Sequence, residues 1–326
     1  MVSDTYLQLV KGELSTEPIP LRALAERLEK PETSVLRVLT SLEALGLACW
    51  CGNQKSSANL NEYIRFEIMN NLFFDGLLDE KIEIGIDGTV KQQYKISYKS
   101  DQFIVSIANP AKKIASLSHK GTYSGRTHSD ESSIQFYRYA ANNLITDSIA
   151  QPLSSPHGSN LFMVAYSTKE NRTLISNLFS PYGLEMVFKP QEKKMEIQKK
   201  EENIVISYPF SMMSDTLQRI VFYLMAIKSN KDATLVFEEP EAHAFPYYTK
   251  YLGEMIAADT ANQYFIATHN PYLLNAIIEK AGKDDVGVCI TYYKDYQTKV
   301  KQLGQDQLEL LLDQDPFLAI NQFIGE

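Results

Sequence analysis

Residues 234–246 read TLVFEEPEAHAFP, an apolar run that ends in two adjacent acids, a proline, a third acid and a histidine. Thirty residues beyond Glu239, the run YFIATHN closes on Thr268, His269 and Asn270. Acids at one strand end and a histidine at the next are residue types that can handle a phosphorylated ligand. Magnesium keeps several waters and takes few carboxylates, so Glu238 can hold the ion's water shell while Glu239 accepts a proton from an attacking water. His269 can sense a terminal phosphate. The competing reading is a strand that ends at the surface in solvated charge.

The elements that must position these residues follow from periodicity. SDTLQRIVFYLMAIKSN places Leu217, Ile220, Val221, Leu224 and Ile227 on one side of a helix. TLVFEE reads as a buried strand, YYTKYLGEMIAADTA as a helix, YFIATHN as a strand, PYLLNAIIEKAG as a helix and VGVCITYYKD as a further strand. Strands apolar on both faces and separated by helices predict a parallel sheet covered by helices. Ligands of such sheets bind outside the carboxyl ends of the strands, where both clusters fall.

Upstream the style differs. KIEIGIDGTVKQQYKISY, with a DG turn at 87 and 88, and then QFIVSIAN predict an antiparallel meander. The polar stretch 115–133 reads as a loop, and QEKKMEIQKKEEN, 191–203, as solvated charge between strands. In the first fifty residues, LRALAERLEK and SVLRVLTSLEALG carry apolar faces at helical spacing, separated at Pro31 and stopped at Gly46. Two short helices joined by a tight turn, followed by GLACW, resemble a winged helix-turn-helix over residues 8–60. In that resemblance the second helix enters the DNA major groove with Thr33, Ser34 and Arg37 exposed. Residues 1–50 hold five Lys and Arg against seven Asp and Glu, so this module is not basic and serves equally as a protein-contact module.

Bulk properties narrow the classes. The 326 residues are 44% hydrophobic and 22% charged, ordinary for a globular protein of two or more domains, and the net charge of -8 argues against coating nucleic acid through bulk electrostatics. The longest apolar run, IVFYLMAI, is too short to span a bilayer, and the N-terminus lacks the basic start and apolar stretch of a secretory signal. A cytoplasmic protein without membrane contact is expected. Cys49, Cys51 and Cys289 cannot build a disulfide framework or a four-ligand zinc site by themselves and are read as reduced.

FSMMSDTLQRIVFYLMAI, LVFEEPEAHAFP and FIATHNPYLL, in that order, resemble the C-terminal lobe of the ABC and SMC class of P-loop ATPases, specifically the AAA-type ATPases that include the OLD family. The resemblance covers roughly residues 155–323. It implies ATP and magnesium as cofactors, Glu238 as the magnesium-side acid of Walker B acting through water, and Glu239 as the general base. It also implies His269 as the switch histidine with Asn270 beside it, and Ser214 as the signature serine that reaches a partner's nucleotide across a head-to-head dimer. Two departures stand out. SDTLQ has no glycine beside its serine, and no stretch of the form G-x-x-x-x-G-K-[ST] occurs in the chain. The nearest candidate, CGNQKSSANLNEYIRF at 51–66, places Ser57 and Ala58 where lysine and a hydroxyl belong. Its downstream half reads as a helix, whether after a degenerate Walker A or after the wing.

The expected fold is α/β, a P-loop ATPase-like parallel sheet with an antiparallel β meander and an N-terminal winged-helix-like module. Residues 1–60 form that module and 61–326 the ABC/OLD-type ATPase-like domain. The expected function is ATP binding and hydrolysis with Walker A incomplete or absent. The alternatives are a non-enzymatic DNA-binding regulator whose ATPase-like lobe is a dimerisation scaffold, and a half-site subunit that takes its phosphate loop from another chain. Expected partners are a second copy or a partner subunit, and double-stranded DNA.

Overall fold

The computed structural model describes residues 42–52, 58–73, 76–79, 81–86, 92–108, 111–124, 133–141, 152–282, 285–294, 297–313 and 323. The expected helices of residues 8–41, with Thr33, Ser34 and Arg37, lie outside the described residues. The chain divides into two compact units, one formed by Met1–Ser132 with Lys283–Glu326 and the other by Ser133–Gly282.

In the first unit, helix α1 (Leu42–Gly52) buries Leu47, Ala48, Cys49, Trp50 and Cys51. Gly46, expected to stop a helix, lies inside α1 instead. A Cβ there would come within 2.8 Å of the Tyr63 carbonyl oxygen, so the glycine admits a neighbouring backbone rather than ending the helix. GLACW is therefore helical and not the start of a β-hairpin wing. Residues 59–66, expected as a helix, contain one 3-10 turn (Leu60–Glu62), closed by Glu62 Oε1 accepting from the Asn59 amide at 2.7 Å.

Strands β1 (Ile82–Ile86), β2 (Gln92–Lys99), β3 (Gln102–Ile107), β4 (Lys112–Leu117) and β5 (Tyr123–Ser124) form an antiparallel sheet in chain order, the expected meander. Alternation drives it: Tyr94 and Ile96 on β2 and Phe103 and Val105 on β3 are buried. The polar composition of 115–133 conceals the end of β4 and all of β5. Ala115 and Leu117 are buried there.

The second unit opens with β6 (Ile134–Tyr137), α2 (Leu161–Ser167) and α3 (Lys169–Phe179). Strands β7 (Glu185–Lys189), β8 (Lys194–Glu201) and β9 (Ile204–Pro209) then form an antiparallel sheet with β8 in the middle. The charged stretch 191–203 is thus mostly a strand. Ile197 is fully buried, Met195 beside it on the same face is partly buried, and Lys194, Glu196 and Lys200 alternate with them.

Helix α4 (Asp215–Ser229) follows, capped by Ser214. Every residue from Ile220 to Ile227 is buried, as an apolar run without a polar face requires. Then come β10 (Thr234–Glu238), α5 (Pro246–Ala257), β11 (Gln263–Ala267) and α6 (Pro271–Lys280). β10 is the middle strand of a parallel sheet, with β11 on one side and β6 on the other. Leu235, Val236 and Phe237 are fully buried in the core, which α4 and α5 share.

In the C-terminal part of the first unit, β12 (Cys289–Lys294) pairs antiparallel with β13 (Gln297–Gln302), followed by α7 (Gln305–Asp313). VGVCITYYKD therefore does not extend the parallel sheet. A partner three residues further along the chain satisfies its backbone locally in a hairpin. Among the described residues, no helix is long and apolar enough to cross a membrane.

The mutual placement of α5 and α6 sets the spacing of the elements that follow β10 and β11. A Cβ on Gly253 of α5 would lie 2.8 Å from the Ala276 Cβ and 3.1 Å from the Leu273 carbonyl oxygen of α6. Gly253→Ala gains helix propensity of about 1 kcal/mol but forces two backbones apart. A net loss of about 1–3 kcal/mol is expected in denaturant unfolding. Gly253→Ala with Ala276→Gly should recover part of it, whereas Gly85→Ala, where a Cβ meets nothing within 4 Å, should lack this clash.

Candidate functional site

The sheet pairing builds the site. β10 and β11 run parallel with Glu238 opposite Ala267, and the Glu239 amide continues the ladder by donating to the Ala267 carbonyl at 2.9 Å. Pro240 has no amide hydrogen, so the ladder stops there. The chain turns with Ala242 N donating to Glu239 O at 3.0 Å and Ala244 N to Glu241 O at 2.8 Å, and α5 starts at Pro246. Glu239 has φ 44° and His243 φ 60°, a left-handed region that side-chain-bearing residues adopt at a cost. Thr216 Oγ1, in the first turn of α4, donates to the His243 carbonyl at 3.0 Å and ties this turn to that helix.

The acids of EEPE fall into three environments. Glu238, with its side chain 12% exposed, accepts from Arg138 Nε at 2.7 Å on Oε2, and a second guanidinium nitrogen, Nη2, donates to the same oxygen. Glu239 Oε1 lies 3.7 Å from His269 Nδ1, with the glutamate less exposed than the histidine. Glu241 is buried beneath them. Its Oε1 accepts from Thr268 Oγ1 at 2.5 Å and from the His269 amide at 3.3 Å, while Oε2 has no hydrogen-bond partner. Burial pushes the Glu241 carboxyl above the ordinary glutamate range, against the lowering effect of the Thr268 hydrogen bond.

Ser214 and Asn270 are both helix N-caps. Ser214 Oγ accepts from the Leu217 amide at 3.4 Å, and Asn270 Oδ1 accepts from the Tyr272 and Leu273 amides at 2.9 and 3.3 Å. Beside Arg138, the Tyr139 ring carries the Arg219 guanidinium at 4.7 Å, and Arg219 Nε donates to Asp215 Oδ2 at 2.6 Å. Burial, then the neighbouring Asp215, pushes the Tyr139 hydroxyl up to about 12.

The structure thus brings Glu238, Glu239 and His269 to neighbouring strand tips and assigns Asn270 and Ser214 to the helices that follow and precede them. Sequence reading missed β6, Arg138 at its end and the buried Glu241. The signal for β6 was IQFY, four residues after a polar loop; nothing in the pattern announced that Arg138 would face an acid a hundred residues away.

Comparison with known families matches residues 91–275 to the family described as "AAA domain, putative AbiEii toxin, Type IV TA system". The chain belongs to this AAA domain family. The matched AAA region contains Arg138, Ser214, Glu238, Glu239, Glu241, His269 and Asn270, and leaves Thr33, Ser34 and Arg37 outside. No curated protein matches the chain. Similar solved structures include a chain from work on ATP-driven dimerization and DNA-stimulated activation of SMC ATPases, at 17% identity and TM-score 0.32 over 43% of this chain and 86% of that one. A chain from the crystal structure of the SmcHead bound to the C-winged helix domain of ScpA is similar at 14% identity and TM-score 0.43, over 81% of this chain and 87% of that one.

Among the described residues, no three His, Cys, Asp or Glu side chains are grouped to hold a metal ion. The one acid expected on the metal side already binds a guanidinium through Oε2. With Arg138 seated, the AAA domain's strand ends do not fit a magnesium ion at Glu238.

Glu241 generates a test that separates fold from chemistry. Its raised pKa means the native state binds a proton more tightly than the unfolded chain. That contribution is fully present below the unfolded glutamate pKa and is lost as pH rises through the native one. Glu241→Gln keeps the acceptor for Thr268 and cannot ionise. Urea unfolding at pH 5 and pH 8 should show the variant gaining on the wild type at the higher pH, and an equal difference at both pH values would contradict it.

Proposed function

We propose that the chain is an ATP-binding and ATP-hydrolysing protein of the ABC/OLD type that lacks a complete phosphate loop of its own. The observation that carries this reading is the pairing of Glu239 with His269 at 3.7 Å across the ends of two parallel strands. The positive φ at Glu239 and at His243 in the same turn supports it, because backbone strain is kept where the surrounding structure holds a residue in place. In this reading Glu239 takes a proton from the water that attacks the terminal phosphate, and His269, the more exposed of the two, contacts that phosphate. Neither role needs a rearrangement of the sheet.

Surroundings of the site also support association with a second chain. Met212, Phe245, Tyr247 and Tyr272 stand 58–69% exposed, close in sequence to Ser214, His243 and Asn270. Large apolar side chains grouped around polar site residues are what a partner would cover. Such a partner, a second copy or another subunit, is also where a phosphate loop could come from. The first sixty residues, by their resemblance to a helix-turn-helix and without a wing at GLACW, would carry Thr33, Ser34 and Arg37 to duplex DNA.

Glu239→Gln keeps the shape of the side chain and removes its ability to take a proton. Steady-state turnover of ATP should fall at least about a hundredfold while ATP affinity, measured by equilibrium binding, changes only a few fold. Equal turnover in the variant and the wild type, or no turnover in either, would contradict the hydrolytic reading.

A further inference from the structure

The Arg138–Glu238 pair is not one of the roles the family resemblance assigns, and its construction is specific. Arg138 follows the last residue of β6, whose Tyr137 is opposite Phe237 on β10, so the arginine and Glu238 are at matching positions of neighbouring strands. Its backbone is held on both sides: the Arg138 amide donates to the Pro156 carbonyl at 3.0 Å, and His157 Nδ1 donates to the Arg138 carbonyl at 2.8 Å. The root of the side chain is therefore fixed. Nε and Nη2 both converge on Glu238 Oε2, and the guanidinium also lies 5.3 Å from the Phe136 ring centre. The two side chains are 23% and 12% exposed, so each is the other's counter-charge in a largely desolvated place.

A divalent ion at this carboxylate would sit next to a guanidinium in the same low-dielectric surroundings, where like charges repel strongly. It would also lose Oε2, which already accepts two N–H groups. The cation position at the tip of β10 is therefore filled by the protein itself.

We propose that Arg138 is a positioning residue that holds Glu238 in an ion pair and keeps the end of β10 closed to a divalent cation. This rests on the nucleotide reading only for the expectation of a cation there; the ion pair is a property of the chain alone.

The test is therefore run without nucleotide. Manganese stands in for magnesium and is titrated against the full chain, with free ion followed by electron paramagnetic resonance. Wild type should bind weakly. Arg138→Gln should bind at least about tenfold more tightly. Arg138→Gln with Glu238→Gln should lose that gain, and Arg138→Lys, which keeps the charge, should remain close to wild type. If Arg138→Gln melts too low for the titration, a thermal shift serves: manganese should raise the melting temperature of Arg138→Gln and leave wild type and the double variant unchanged. The proposal is overturned if manganese binds or stabilises wild type and Arg138→Gln equally, if the gain survives Glu238→Gln, or if Arg138→Lys gains as much as Arg138→Gln. Failure of ATP turnover leaves these outcomes unaffected, so the two readings fall separately.

Discussion

The parallel register of β10 against β11 sets the distance between every polar group at the strand tips. Leu235, Val236 and Phe237 are fully buried, and a slip of one residue would exchange the faces on which they pack. Burial thus fixes Glu238 opposite Ala267, and the ladder's last bond, from the Glu239 amide to the Ala267 carbonyl, carries the order one residue beyond the strand. From there Pro240 ends the pairing and two successive turns bring the chain into α5. Apolar packing, which has no direct interest in chemistry, thereby positions the Glu239 carboxylate 3.7 Å from His269 Nδ1.

Three carboxyl groups within four residues would repel one another if all were charged in one environment. The structure separates them by giving each a different settlement. Glu238 is paired with a partly buried arginine, Glu239 keeps partial access to water beside a histidine, and Glu241 is buried with one oxygen satisfied and one not. Burial pushes the Glu241 carboxyl above the ordinary glutamate range, and its Oε1 accepts from the Thr268 hydroxyl and the His269 amide, so it organises that strand end from below. The same electrostatic economy explains why a metal does not fit beside Glu238 while Arg138 remains in place.

Much of this was legible in the sequence where burial leaves a simple period. α4, β10, α5, β11 and α6 were expected from apolar spacing, and the meander from its alternation. The misses have physical causes. β8 alternates Met195 and Ile197 with charged residues, and a reading of net charge hid its period of two. Gly46 carried a stop signal that close packing on Tyr63 overrode. VGVCITYYKD has the composition of a buried parallel strand, yet its partner lies in the adjacent hairpin arm. Arg138 was invisible because its role depends on the pairing of β6 with a strand about a hundred residues away, a long-range contact that no local pattern encodes.

The central claim is that a nucleotide's phosphates sit at the tips of β10 and β11. Amide hydrogen exchange of the full chain, with and without ATP and a divalent cation, tests it directly. The account predicts slower exchange in residues 238–243 and 267–270 when ATP is present, with the β12–β13 hairpin unchanged. No change at those tips, or protection confined to other segments, would contradict it.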